Sequence, residues 1–196
     1  MEKKKYKEVY SKKVNKKKVV EKKLVDIRWI LTITIIAFLI SISFSLLSEI
    51  VISNVGAIIS ILLLILVVLI GVLFDMIGIS VTVADINTFN SMASKRVKGA
   101  ELAVKFIKNA EKLSSFCNDV IGDICGIISG ALSSSISIML VEKFSLNLLI
   151  TTLFITGLVA AFTIGGKALG KSFAINKSNI ILYRFSEFVS IFYKVK

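Results

Sequence analysis

Histidine and proline are both absent from this chain of 196 residues. Without histidine, the commonest general base and the commonest transition-metal ligand are missing. Without proline, any break in a helix falls to glycine or serine. Cysteine occurs twice, at Cys117 and Cys125. That spacing fits neither a disulfide framework nor a zinc site, and it marks two small buried hydrophobes. Acidic residues number 13 against 25 lysines and arginines, 22 of them lysine. The lysine and isoleucine usage points to an AT-rich, bacterial genome. There is no nucleophile–base pair and no phosphate loop, since Gly165, Gly166 and Lys171 lack the Walker spacing. An enzyme is not expected; a lipid-modifying one would lack its catalytic constellation.

What is present is apolar. The chain is 55% hydrophobic, with a mean hydropathy of +0.83. A soluble domain of this length cannot hide so much apolar surface, so the composition predicts an all-α integral membrane protein. The net charge is +12. Because the positive charge sits in blocks between apolar runs, it suits a membrane surface and not a nucleic acid.

Residues 1–28 hold 12 Lys/Arg against 4 acids and form a basic tail, either solvated or lying on anionic lipid, where each nearby lysine contributes about 1 kcal/mol. Residues 29–196 form the membrane domain. Trp29 to Leu47 is uncharged and long enough to cross a bilayer. It is too long for a signal peptide and no small-residue cleavage site follows, so it reads as a retained anchor. Further spans are expected at about 55–82, 117–141 and 147–166. Segments of about 87–115 and 168–193 are basic and amphipathic; such helices lie in the membrane interface with lysines outward. The N-terminal, central and C-terminal basic segments carry 24 of the 25 Lys/Arg. Four transmembrane helices put all three on one side, which the positive-inside rule makes cytoplasmic. The expected location is the inner, cytoplasmic membrane, with both termini inside.

The stretch Asn109 to Gly130 turns from a basic surface segment into a span and takes Asn118, Asp119 and Asp123 with it. A carboxylate beside a hydrocarbon run is costly and marks a functional site by default. Asp119 and Asp123, four apart, share a helix face. Gly122, Gly126 and Gly130 follow at the same spacing, as a strip on which another helix can pack closely; a homodimer is expected through such faces. Asp75, Ser80, Thr82, Asp85 and Ser115 also lie near the cytoplasmic halves of the second and third spans. Oxygen ligands without histidine suit Mg²⁺, Ca²⁺ or a monovalent cation. The structural reading of the same residues is that Asp119 and Asp123 open a helix, favouring its dipole by about 0.3–1 kcal/mol each.

The arrangement resembles the membrane domain of the CNNM/CorB family, proteins linked to Mg²⁺ export, over roughly Ile58 to Phe192. Three patterns carry the resemblance. Gly78-Ile-Ser-Val-Thr-Val-Ala-Asp85 is similar to a Ser/Thr-rich motif closing the family's first span, which matches Ser80 and Thr82 to its hydroxyls. Asn109-Ala-Glu-Lys-Leu113 and Cys117-Asn-Asp-Val-Ile-Gly122 resemble the turn and opening of its next span, which matches Asn118 to a cation-binding asparagine with Asp119 beside it. Gly166-Lys-Ala-Leu-Gly-Lys-Ser-Phe-Ala174 has the frame of the motif closing its third span. The departures are Val81 for a motif glutamate, Ala110 and Gly170 for prolines, and Lys167 for an acid near the cation. The family's nucleotide-binding CBS pair and C-terminal domain are not matched, so regulation by ATP-type ligands is not expected. The resemblance implies transport or homeostasis of Mg²⁺ or another divalent cation, with Asn118, Asp119, Ser80 and Asp123 as ligands and Asp75 as a further one. No resident cofactor is implied beyond the ion. The alternative is a non-transporting scaffold or partner subunit that holds anionic headgroups or an acidic partner by its basic face; Lys167 favours it.

Overall fold

The structure is a computed structural model. It describes residues 27–54 and 56–192, without the side chains of residue 44 and residues 47–54. The basic tail up to residue 26, and Lys194 and Lys196, lie outside the described residues. The chain divides into two units, residues 1–38 and 39–196. The boundary falls inside the first helix, α1, Ile27–Asn54.

Every other element among the described residues is also helical. In order they are α2 (Ala57–Val83), α3 (Ile86–Ser94), α4 (Ala100–Lys108), α5 (Ala110–Ser115), a π-helical turn (Phe116–Gly122), α6 (Asp123–Phe144), α7 (Leu148–Asn176) and α8 (Ser178–Phe192). Three helical runs are long and apolar enough to cross a membrane: Ala57–Val83, Ala110–Phe144 and Leu148–Asn176. The apolar stretch of α1 that lies among the fully described residues, Ile27–Ser43, is shorter than these three. Among the described residues the spans therefore number three where the hydropathy pattern predicts four.

The three long runs pack on one another pairwise. Small residues set their separations. A Cβ on Gly71 of α2 would stand 3.0 Å from Cys125 Cβ of α6, and one on Gly170 of α7 only 2.9 Å from Met76 Cγ of α2. Leu64, Ile128, Leu132 and Ile136 are buried between the helices. The outward faces, such as Ile58, Ile65, Leu69, Phe154, Phe162 and Ile164, remain exposed and apolar. A continuous apolar exterior of this kind is compatible with a hydrocarbon surround.

Caps mark the turns. Asp85 ends α2 and opens α3: its carboxylate accepts from the N–H groups of Asn87 and Thr88, each at 3.1 Å, and from the Thr88 hydroxyl at 2.7 Å. Asn147 opens α7 in the same way, accepting from Leu149 and Ile150 at 3.0 and 3.3 Å. Gly99, with φ of 82°, opens α4. A side chain there would meet the backbone of Glu187 at 2.8 Å, so α4 and α8 touch main chain to main chain.

The end of α2, the α3–α4 pair and α8 close around Val81, Phe89, Ala103 and Leu182. This core alters one expectation. In the segment of about 87–115, expected to lie in the membrane interface, Ala100 and Ala103 are fully buried against protein, while Lys105 and Lys108 stay exposed. A second difference concerns α7. The span expected to stop at 166 continues as one helix through Lys167 to Asn176, because a charged residue ends an apolar run without breaking a helix.

Candidate functional site

The expected polar cluster gathers where α5 gives way to α6, and the backbone there is not α-helical. Phe116–Gly122 winds as a π-helical turn. Such turns insert an extra residue, loosen the hydrogen-bond ladder and cluster at functional sites. Cys117, Val120 and Gly122 turn inward, Asn118 is half-buried, and Asp119 and Asp123 are exposed.

Asn118 is held against α2. Its amide occupies the space over Gly78, where a Cβ would overlap the amide oxygen. Its Nδ2 donates to Ser114 Oγ at 3.3 Å. Its Oδ1 is buried and has no hydrogen-bond partner. A buried acceptor left unsatisfied costs about 1–3 kcal/mol, and such an atom in a folded protein calls for a functional explanation.

The carboxylates face two lysines. Lys167 Nζ lies 3.9 Å from Asp123 Oδ1. Asp75 on α2 is within electrostatic reach of Lys167, Asp123, Lys171 and Asp119. Measured along the helices, Asp75, Asp123 and Lys167 stand about 27–32 Å from the opposite ends of α2, α6 and α7 at 1.5 Å per residue. The cluster thus lies at one end of the bundle, about a hydrocarbon thickness from the other.

The remaining candidates separate. Ser80 is buried, two residues beyond Gly78, and its hydroxyl donates to Met76 O at 2.7 Å. Thr82 is exposed and bonds back to Ile79 O. Asp85 is a correction: its oxygens are engaged as the α3 cap, and its own N–H donates to Asn179 Oδ1 at 2.9 Å. The Thr88 hydroxyl first, then the two backbone N–H groups, hold its carboxyl below the usual carboxylate range. Gly122 is buried, and a Cβ placed on it would stand 3.6 Å from Lys167 Nζ, whereas Gly126 and Gly130 are exposed with open space around them in this chain.

Among the described residues, no three acids or cysteines converge closely enough to hold a metal by themselves. A cation here would be held by one or two carboxylates, the Asn118 oxygen and its own water, the mode Mg²⁺ favours. The π-turn and the approach of Lys167 to Asp123 carry no signal in the sequence pattern. The Asp85 cap does, as an aspartate placed just before a helical run.

Fold and cluster together define an all-helical protein with three helices able to cross a membrane and a polar, charged cluster at one end of them. Compared with known proteins, the chain matches no family model, no curated sequence and no solved structure.

Proposed function

We propose that this protein is a multi-pass membrane protein that binds a hard cation, Mg²⁺ foremost, at the π-turn, and serves its transport or homeostasis in the manner of the CNNM/CorB membrane domain it resembles. The observation that carries the reading is the buried, unpartnered Asn118 oxygen, flanked in sequence by Asp119 and set where Asp75 and Asp123 gather. A dehydrating cation supplies what that oxygen lacks, and the acids supply the charge. Asn118, Asp119, Asp123 and Ser80 are the ligands, with Asp75 behind them. In this reading α1 completes a fourth span, both termini are cytoplasmic, and the cluster opens to the cytoplasmic side. A reporter fused after Ile52 then reads as external. The basic segments hold anionic headgroups, and open small-residue faces such as Gly126–Gly130 pair two copies.

The second reading, a membrane scaffold without transport, is favoured by the Lys167–Asp123 pair, which neutralises an acid the cation would need. Thermal stability of the detergent-purified protein against Mg²⁺ separates the two, with Ca²⁺ and ionic-strength controls. With a Kd of about 1 mM, 10 mM Mg²⁺ adds about 1.4 kcal/mol. The transport reading expects this shift to be Mg²⁺-specific and lost in Asp119→Ala and Asp123→Ala. A shift that any salt reproduces leaves the scaffold.

A further inference from the structure

Lys167 sits where the sequence resemblance places an acid, and its surroundings are those of a counter-ion and not of a surface lysine. It emerges from α7 between Gly166 and Gly170, whose missing side chains draw α7 against α2; a Cβ on Gly166 would lie 3.1 Å from Val72 Cγ2. The lysine is thereby aimed along the seam toward α6. Gly122 leaves room for the ammonium, which passes 3.6 Å from where a Cβ would stand. The lysine side chain is 29% exposed, against 70% for Asp123. The acid faces outward and the lysine reaches it from within.

The pair is also loose. At 3.9 Å the ammonium is beyond hydrogen-bond distance from Asp123, where a charge-assisted bond closes to about 2.7–2.9 Å. Asp75, on α2, is within electrostatic reach of the same ammonium. The ammonium thus approaches the carboxylates without being locked to Asp123.

We infer that Lys167 is a tethered cation: its ammonium occupies the carboxylate cluster when the site is empty, and an incoming divalent cation must displace it. This rests on the cation-binding reading proposed above and adds its regulation. Tethering sets the threshold of the site, because a covalently held competitor acts at a fixed, high effective concentration.

The test is Mg²⁺ titration calorimetry on the full chain in detergent, comparing the wild type with Lys167→Gln and Lys167→Arg. Removing the competing charge should tighten Mg²⁺ binding about tenfold or more, and Lys167→Arg should bind like the wild type. Equal or weaker binding by Lys167→Gln overturns the inference while leaving the cation site in place. Binding absent from both proteins overturns the cation site and the inference together. A second measurement covers the case in which Lys167→Gln does not fold. Acylation of Lys167 in the wild type by a water-soluble amine reagent, read by mass spectrometry, should rise several-fold when Mg²⁺ replaces an equal ionic strength of KCl. Unchanged or reduced labelling overturns the inference.

Discussion

The two halves of the run from Ala110 to Phe144 carry similar numbers of polar residues and treat them in opposite ways. Beyond Cys125, Ser129, Ser133 and Ser137 are buried in the bundle, and each hydroxyl turns back to its own helix: to Cys125 O at 2.7 Å, Gly130 O at 2.8 Å and Ser133 O at 2.7 Å. They behave as small residues that permit close packing and need no outside partner. Before Cys125, the π-turn leaves one amide oxygen without a partner and brings acids into range of lysines they do not bond tightly. Polarity inside an apolar helical bundle is therefore no guide to function by itself. What separates the halves is whether the polar groups are satisfied by their own backbone.

The largest effect expected from breaking this contrast lies in the packed half. Leu132 is fully buried, and Leu132→Ala should cost about 2–5 kcal/mol of stability, read by thermal or denaturant unfolding in detergent. Any Mg²⁺-dependent shift should persist in the surviving folded protein. Next comes Gly78→Ala, which sets a methyl where the Asn118 amide lies. Overpacking there should cost about 1–3 kcal/mol and remove the Mg²⁺ response as well, joining two effects that Leu132→Ala keeps apart.

Smaller is the effect at Asp85, which is exposed and outside the spans. Its carboxyl is held low by Thr88 and by two backbone N–H groups. A lowered folded-state pKa gives stability that is full above the unfolded value of about 3.9 and lost as pH falls through the folded one. Asp85→Ala should therefore melt below the wild type at neutral pH, and the gap should close as the pH drops below about 4. A gap independent of pH would remove the cap from the account. Smallest of all is Ser133→Ala: a self-bonded hydroxyl in the packed half should change stability by less than about 1 kcal/mol and leave Mg²⁺ binding untouched. A large effect on binding would show that the serine half also meets the ion.

Much of the frame was legible because uncharged runs are a strong signal. The span expected at about 55–82 is the helix Ala57–Val83, that expected at about 117–141 lies within the longer run Ala110–Phe144, and that expected at about 147–166 starts at the cap of α7 and stops ten residues short of its end at Asn176. Helix ends were less legible, since hydropathy reports where an apolar run stops and not where the hydrogen-bond ladder does; α7 passing through Lys167 is the example. The candidate site was legible in its residues and illegible in its geometry. Asn118, Asp119, Asp123 and Asp75 stood out as polar groups beside apolar runs. Their differing exposure depends on a π-turn that no residue pattern announces, and the pairing of Asp123 with Lys167 joins positions 44 apart in the chain. The glycines tell the same story. Spacing picked out Gly122, Gly126 and Gly130, whereas Gly71, Gly78 and Gly170, where an added Cβ would stand at or inside 3.0 Å from a neighbour, sit in no regular repeat.

The most direct test of the central claim is calorimetric titration of Mg²⁺ into the wild type and into Asn118→Ala. If the unpartnered amide oxygen is a cation ligand, the wild type binds one ion per chain and the variant binds it at least about tenfold more weakly, the loss of one charge-assisted contact, with no fall in ion-free stability. If both proteins bind alike, or neither binds, the oxygen serves no ion and the claim is contradicted.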